Sequence, residues 1–280
     1  MVKFECDNFD LKQIAESGQC FRWFEKSKSI PRYNIVANGK VLDIMQNNNC
    51  FYLSCTQGEY DTFWHSYFDL NTNYEQFGQT IDSNDAFLSS AYQHGSGIRI
   101  LRQPLWETIV SFIISQRKSI PAIKTSIERL CRAYGDKIEG TEYYSFPEPE
   151  QLLNMTKDDC SLGYRLPYIN ELAKKVINGE FDLKQLYKLD YESAKKQLLS
   201  VCGIGEKVAN CILLFGLGHI EACPIDVWVQ RIVDEEYNGI VPKWMKSECA
   251  GVLQQWTFFY KRMKNKKDRR RFNSTKLIGR

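Results

Sequence analysis

Two different hydrophobic rhythms divide the chain. Up to about residue 80 the apolar positions come in short aromatic or β-branched runs, "CFRWFE" (20–25), "RYNIVANGKVLDIMQ" (32–46) and "NCFYLSC" (49–55). Turn-forming residues separate them, Asn38-Gly39 and the asparagine run at 47–49. This pattern predicts an antiparallel sheet. "EYDTFWHSYFDL" (59–70) then predicts a helix that closes or flanks the sheet, and "NTNYEQFGQTIDSNDAFLSSAYQ" (71–93) continues in helical style.

From about residue 100 the rhythm is helical almost throughout. "PLWETIVSFIISQRK" opens on Pro104 and sets Leu105, Ile109, Phe112 and Ile113 on one face, as in a helix buried between neighbours. "SIPAIKTSIERLCRAYG" follows, with Ser119 as cap, Pro121 in the first turn and Gly135 as stop. Further helical stretches are "EPEQLLNM", "PYINELAKKVINGE", "DYESAKKQLLSV" and a last one within "KSECAGVLQQWTFFYKRMK". The fold class is therefore α+β: an antiparallel sheet domain with a flanking helix over residues 1–85, then an all-helical domain over 86–280. No repeat or low-complexity segment interrupts this order.

With 280 residues, 43% hydrophobic and 25% charged, the chain can bury a real core. The amino terminus lacks the basic start and apolar run of a signal peptide, and no apolar stretch approaches the roughly 18 residues of a membrane span, so an intracellular protein with no membrane partner is expected. Ten cysteines at irregular spacings predict reduced, mostly buried thiols. There is no CxxC pair, and the three histidines (His65, His94, His219) stand beside no cysteine or carboxylate at ligand spacing, which argues against a zinc site. Net charge is only +3, yet residues 261–271 hold eight basic residues and one acid, a positive end or a solvated tail.

The chemistry concentrates at "LLSVCGIGEKVANCILLFGLGHIEACPIDVWV" (198–229). Helical spacing before and after "CGIG" makes this a helical hairpin near 190–217, whose Gly203 and Gly205 let the backbone turn tightly and approach another molecule. A helix starting there points free N–H groups outward, which suits a phosphate. A dinucleotide fingerprint would need a third glycine where Val208 stands, and a P-loop would need Ser or Thr directly after Lys207. What survives is a hairpin that grips a nucleic-acid backbone.

This stretch resembles the helix-hairpin-helix, Gly/Pro loop and aspartate of the base-excision DNA glycosylase superfamily. "SGQCFRW" (17–23), "SLGYR" (161–165) and "AGVLQQWTFF" (250–259) resemble its 8-oxoguanine DNA glycosylase branch in the expected order, so the likeness spans nearly the whole chain. The resemblance implies a bifunctional glycosylase and AP lyase acting on damaged double-stranded DNA as a monomer, with no required cofactor. Lys207 would be the nucleophile, attacking as the free amine that a neighbouring helix N-terminus favours. Asp226 would stabilise the cationic sugar and help manage protons. Taken alone, the same two residues could be a solvent-facing first-turn lysine and a helix cap.

The family register also implies a pocket for a base extruded from the stack. Phe258 would stack on one face, Cys211 would lie against the other, and Gln254 would address the Watson–Crick edge. The Gly18 carbonyl would accept the N–H that N7 carries in 8-oxoguanine but not in guanine. Tyr164 would wedge into the vacated stack, and Arg165 would read the orphaned partner base. In the gap-filling region this chain has Arg117 and Lys118 where relatives carry asparagines, and Ala122 where a second arginine would help read cytosine; weak discrimination of the opposite base is expected. Cys202 stands where the hairpin often has proline, and Trp228 where a histidine is familiar. The carbonyls of Leu199, Val201 and Ile204 would be the place for a structural monovalent cation. The iron-sulfur branch is disfavoured because only Cys249 follows Asp226. Two rivals stay open: a glycosylase of the same superfamily for alkylated bases, and a non-catalytic DNA-holding module.

Overall fold

In the computed structural model, residues 1–153, 155–156 and 160–278 are described, with side chains through 265. Five strands, β1 (Val2–Glu5), β2 (Trp23–Ser27), β3 (Arg32–Ala37), β4 (Lys40–Asn47) and β5 (Cys50–Leu53), form one antiparallel sheet in the order β1-β5-β4-β3-β2. Register follows the alternation: Tyr33 faces Ile44, Ile35 faces Leu42 and Ile44 faces Leu53, all of them buried. Asn38 and Gly39 both take positive φ, 50° and 67°, the conformation that a two-residue turn between twisted strands needs. Phe9, Phe51, Trp64, Tyr67 and Phe68 pack over this face.

The sequence reading missed β1 and the helix α1 (Leu11–Glu16), which is too short to show a period; Asp10 caps it by accepting from Gln13 N at 2.8 Å. Residues 57–67 are a run of short helical turns around a π-type turn rather than one α-helix. The stretch after them splits into Glu75–Gln79 and α2 (Ala86–Gly95), because Asp85 stops the chain to cap the second piece through Leu88 N.

The helices that carry the site are α3 (Leu105–Ser115), α4 (Ile120–Tyr134), α5 (Leu166–Ile177), α6 (Tyr191–Leu199), α7 (Glu206–Ile212), α8 (Val227–Glu236) and α9 (Ala250–Ile278). Every residue of α3 except Glu107 is buried, so it is the axis around which the others pack. Ser119 caps α4, bonding Ala122 N, and Gly135 ends it.

Two hydrophobic cores result, one under the sheet and one around α3. Buried polar side chains join them. The Gln19 carboxamide donates to Arg99 O (2.9 Å) and accepts from Leu101 N (2.9 Å). Arg22 reaches across to Glu128 (2.8 Å) and to the Tyr144 carbonyl.

Candidate active site

The hairpin is α6, a six-residue turn (200–205) and α7. Gly203 sits at φ +85°, and a Cβ there would stand 2.5 Å from the Tyr168 ring, so both conformation and space demand glycine. Gly205 differs: its backbone is extended, nothing lies within 4 Å of a Cβ, and it is the N-cap of α7. Lys207 follows in the first turn, its amine 5.5 Å from the Phe112 ring centre. One turn on, Cys211 is buried within reach of the Lys207 charge. Burial pushes its thiol up to about 11; the Lys207 charge opposes this and Asp226 adds to it.

Asp226 caps α8, its Oδ1 accepting from both Trp228 N and Val229 N at 2.9 Å. Oδ2 accepts no hydrogen bond among the described residues. The carboxylate is thus locked in place by one oxygen while it borders a cavity of about 360 Å³ together with Lys207. Gly18, Cys211, Gln254 and Phe258 line the same cavity. Two larger clefts, of about 740 and 960 Å³, hold none of these residues.

Gly18 enters from the sheet domain at φ +84°, and a Cβ there would meet Ile120 Cδ1 at 3.2 Å and Phe258 Cε1 at 3.5 Å. Glycine therefore brings the backbone against the ring that forms the cavity wall. Gln254 is buried on α9 and accepts from Gln255 Nε2 at 3.0 Å. Three further residues of the wall are ones that the sequence did not assign to the pocket, although Phe112 reads there as part of a buried helix face and Trp228 as standing in the place of a histidine. Phe112 lies under Lys207; Trp228 borders the cavity next to Asp226; Arg262 spans Phe258, its guanidinium 5.2 Å from the ring centre and donating to Glu16 O. Burial lowers the Arg262 pKa, with Asp226 and Glu16 opposing. Arg262 was legible as the position one turn after Phe258 and two after Gln254, on the same face of α9.

A second, open cleft of about 420 Å³ runs along the hairpin, lined by Gln116, Arg117, Tyr164, Tyr168 and Gly203 to Gly205. Tyr164 is 46% exposed there, and Arg117 takes a left-handed φ of 52°. Arg165 and Lys118 depart from expectation. Arg165 is buried, its guanidinium hydrogen-bonded to the Leu162 and Gln116 carbonyls and stacked on Tyr164, so it is not presented to a partner base. The backbone carbonyls of the two turns beside it take both of its NH₂ groups, while its Nε is buried without a partner among the described residues. Lys118 turns inward, bonding Ser126 Oγ and Ser161 O, and borders the first cavity rather than the open cleft.

Of the carbonyls named for a cation, that of Val201 accepts from Ile204 N at 3.1 Å, which leaves it a second lone pair. Lys261, the first residue of the basic run, is buried in ion pairs with Glu235 and Glu236. The side chains of that run beyond 265 lie outside the described residues. Among the described residues no three His, Cys, Asp or Glu side chains gather as a metal site, and no helix is long and apolar enough to cross a membrane.

Residues 1–109 match the family described as 8-oxoguanine DNA glycosylase, N-terminal domain, and residues 110–245 that described as HhH-GPD superfamily base excision DNA repair protein. An N-glycosylase/DNA lyase of Saccharomyces cerevisiae is 30% identical over 263 residues, covering 81% of this chain and 68% of that protein. Two solved structures superpose closely. One is MBOgg1 in complex with a low-affinity DNA ligand, 33% identical, with a TM-score of 0.86 over 95% of this chain and 100% of that one. The other is Clostridium acetobutylicum 8-oxoguanine glycosylase/lyase bound to double-stranded DNA with cytosine opposite 8-oxoG, 30% identical, with a TM-score of 0.85 over 95% of this chain and 99% of that one. By its hairpin, its cavity and these relationships, the chain belongs to the 8-oxoguanine DNA glycosylase family of the HhH-GPD superfamily.

Proposed function

We propose that this protein excises 8-oxoguanine from duplex DNA and cleaves the strand at the resulting site, using Lys207 as nucleophile. The observation that carries the reading is a single cavity bordered by an amine, a carboxylate and a set of flat and polar groups suited to a purine. The extruded base lies between Phe258 and Cys211. Its N7–H meets the Gly18 carbonyl, which an intact guanine, with a bare N7, cannot satisfy.

As the bond from C1′ to N9 breaks, its electron pair leaves with the base and positive charge grows on the sugar. The Asp226 carboxylate, held by two backbone N–H groups, faces that charge without having to reorganise. The Lys207 amine adds to C1′ and loses a proton, and ring opening gives a protonated imine between Nζ and C1′. Loss of a C2′ proton then expels the 3′ phosphate, which is β-elimination. Outside the cavity, Tyr164 fills the vacated stack while the Gly203–Gly205 turn grips the phosphates.

Borohydride reduction tests this directly. A covalent protein–DNA adduct is expected with a duplex carrying one 8-oxoguanine, and neither with undamaged duplex nor with Lys207→Gln. Release of free base without an adduct would mean that the lysine does not attack. Tight binding with neither base release nor adduct would favour a DNA-holding module, and activity only on alkylated bases would move the substrate elsewhere in the superfamily.

A further inference from the structure

The structure pairs two glutamines at the cavity wall. Gln255 is 4% exposed, its Nε2 donates to Gln254 Oε1 at 3.0 Å, and its own Oε1 is buried with no hydrogen-bond partner. A buried carbonyl left unpaired costs stability, and α9 carries that cost where it borders the cavity. What the pair obtains is a fixed polarity. Because Gln254 Oε1 is occupied, the group that Gln254 turns toward the cavity is its NH₂, a donor.

We propose that Gln255 is a positioning residue that locks the Gln254 carboxamide as a donor and so restricts the pocket to 6-oxopurines. This rests on the lesion-excision reading above and adds a second selection to it. The Gly18 carbonyl separates oxidised from intact purines by the proton on N7, but 8-oxoguanine and 8-oxoadenine both carry that proton. They differ at position 6, where the first presents a carbonyl acceptor and the second an amino donor. A lone glutamine could serve either by turning its carboxamide half a revolution. Paired with Gln255 it can turn only if Gln255 turns with it, and that would bury the two N–H donors of Gln255 unpaired in place of one carbonyl, the costlier exchange.

The test compares single-turnover excision of 8-oxoguanine and of 8-oxoadenine from otherwise identical duplexes by the wild-type protein, Gln255→Glu and Gln255→Leu. Cleavage of a pre-formed abasic duplex, which needs Lys207 but reads no base, is the control. The carboxylate of Q255E can only accept, so it draws the Gln254 NH₂ toward itself and turns Oε1 to the cavity. The rate on 8-oxoguanine should fall on the order of tenfold or more and that on 8-oxoadenine should rise, with abasic cleavage retained. Q255L, which frees the carboxamide, should fall between wild type and Q255E. Rates on the two lesions that change in parallel, or by less than about twofold, with abasic cleavage intact would overturn the proposal. Loss of abasic cleavage in both variants would assign Gln255 to packing alone and overturn it as well. A wild-type protein inactive on both 8-oxoguanine and abasic DNA would instead bring down the reading on which the proposal rests.

Discussion

Asp226 shows how one residue can answer two descriptions. A proline followed by an aspartate at a helix start is legible as a cap, and the structure makes it one, yet the same carboxylate borders the cavity beside Lys207. The cap fixes the carboxylate's position, so the two roles share one geometry. They can be separated, since asparagine caps a helix about as well as aspartate but carries no charge. Asp226→Asn should keep the wild-type melting temperature and DNA affinity while excision falls by on the order of a hundredfold or more, measured by single turnover. Asp226→Ala should in addition lose about 1 kcal/mol of stability for the missing cap. Arg165 marks the opposite limit of the sequence. Its place after "SLGY" was readable, but its burial against two backbone carbonyls depends on the turn around Gln116, nearly fifty residues away. With Arg165 turned inward and an alanine at 122, excision rates opposite the four bases should lie close together. A large cytosine preference would show that Arg165 swings out on binding.

At the level of elements, hydrophobic period was a sound guide wherever a helix or strand was long enough to repeat it, as in α3 and β4. It failed on β1, α1 and the turns of residues 57–67, where caps and aromatic packing decide the backbone. The hairpin glycines looked equivalent in the sequence and are not. Gly203→Ala must adopt a left-handed φ and push into the Tyr168 ring, so it should destabilise the protein and weaken DNA binding together. Gly205→Ala meets open space, so melting should stay near wild type while a methyl group stands before the N–H groups of α7 and lowers DNA affinity. Calorimetry and a binding titration on the two variants separate these outcomes. Helix α3 carries a different consequence. Glu107 is half-buried, and the loss of water around its carboxyl raises its pKa to about 7, Arg22 opposing and Glu128 adding. A carboxyl whose pKa is higher folded than unfolded favours folding in its protonated form, so its contribution is full below the unfolded value and is lost as pH rises toward 7. Glu107→Gln should therefore melt higher than wild type at pH 8, with the advantage shrinking toward pH 5.

The whole molecule supplies what neither domain holds by itself. Lys207, Asp226, Gln254 and Phe258 come from the helical part, whereas Ser17, Gly18 and Phe21 reach the same cavity from the sheet part. On the function proposed above, lesion recognition depends on the join between two cores, and that join is polar. The two rhythms in the sequence announced the two parts. Nothing in either rhythm announced the join, because its residues lie about eighty positions apart and are polar among apolar neighbours. Gln19 is its centre: fully buried, it bonds Ser17 Oγ, Arg99 O and Leu101 N through its side chain, and its carbonyl accepts from Gln103 Nε2. These bonds flank Gly18 and hold its backbone against Phe258. Leucine at position 19 would fill much the same volume but leave the Leu101 N–H and the Arg99 carbonyl without this partner, at about 1–3 kcal/mol for each buried group. Gln19→Leu should therefore melt lower yet still fold. Its excision of 8-oxoguanine should fall much further than its cleavage of abasic DNA, because the first needs Gly18 in register and the second needs only Lys207 and its surroundings. Equal losses in both activities would mean that the join supports the fold alone, and that Gly18 keeps its place without Gln19.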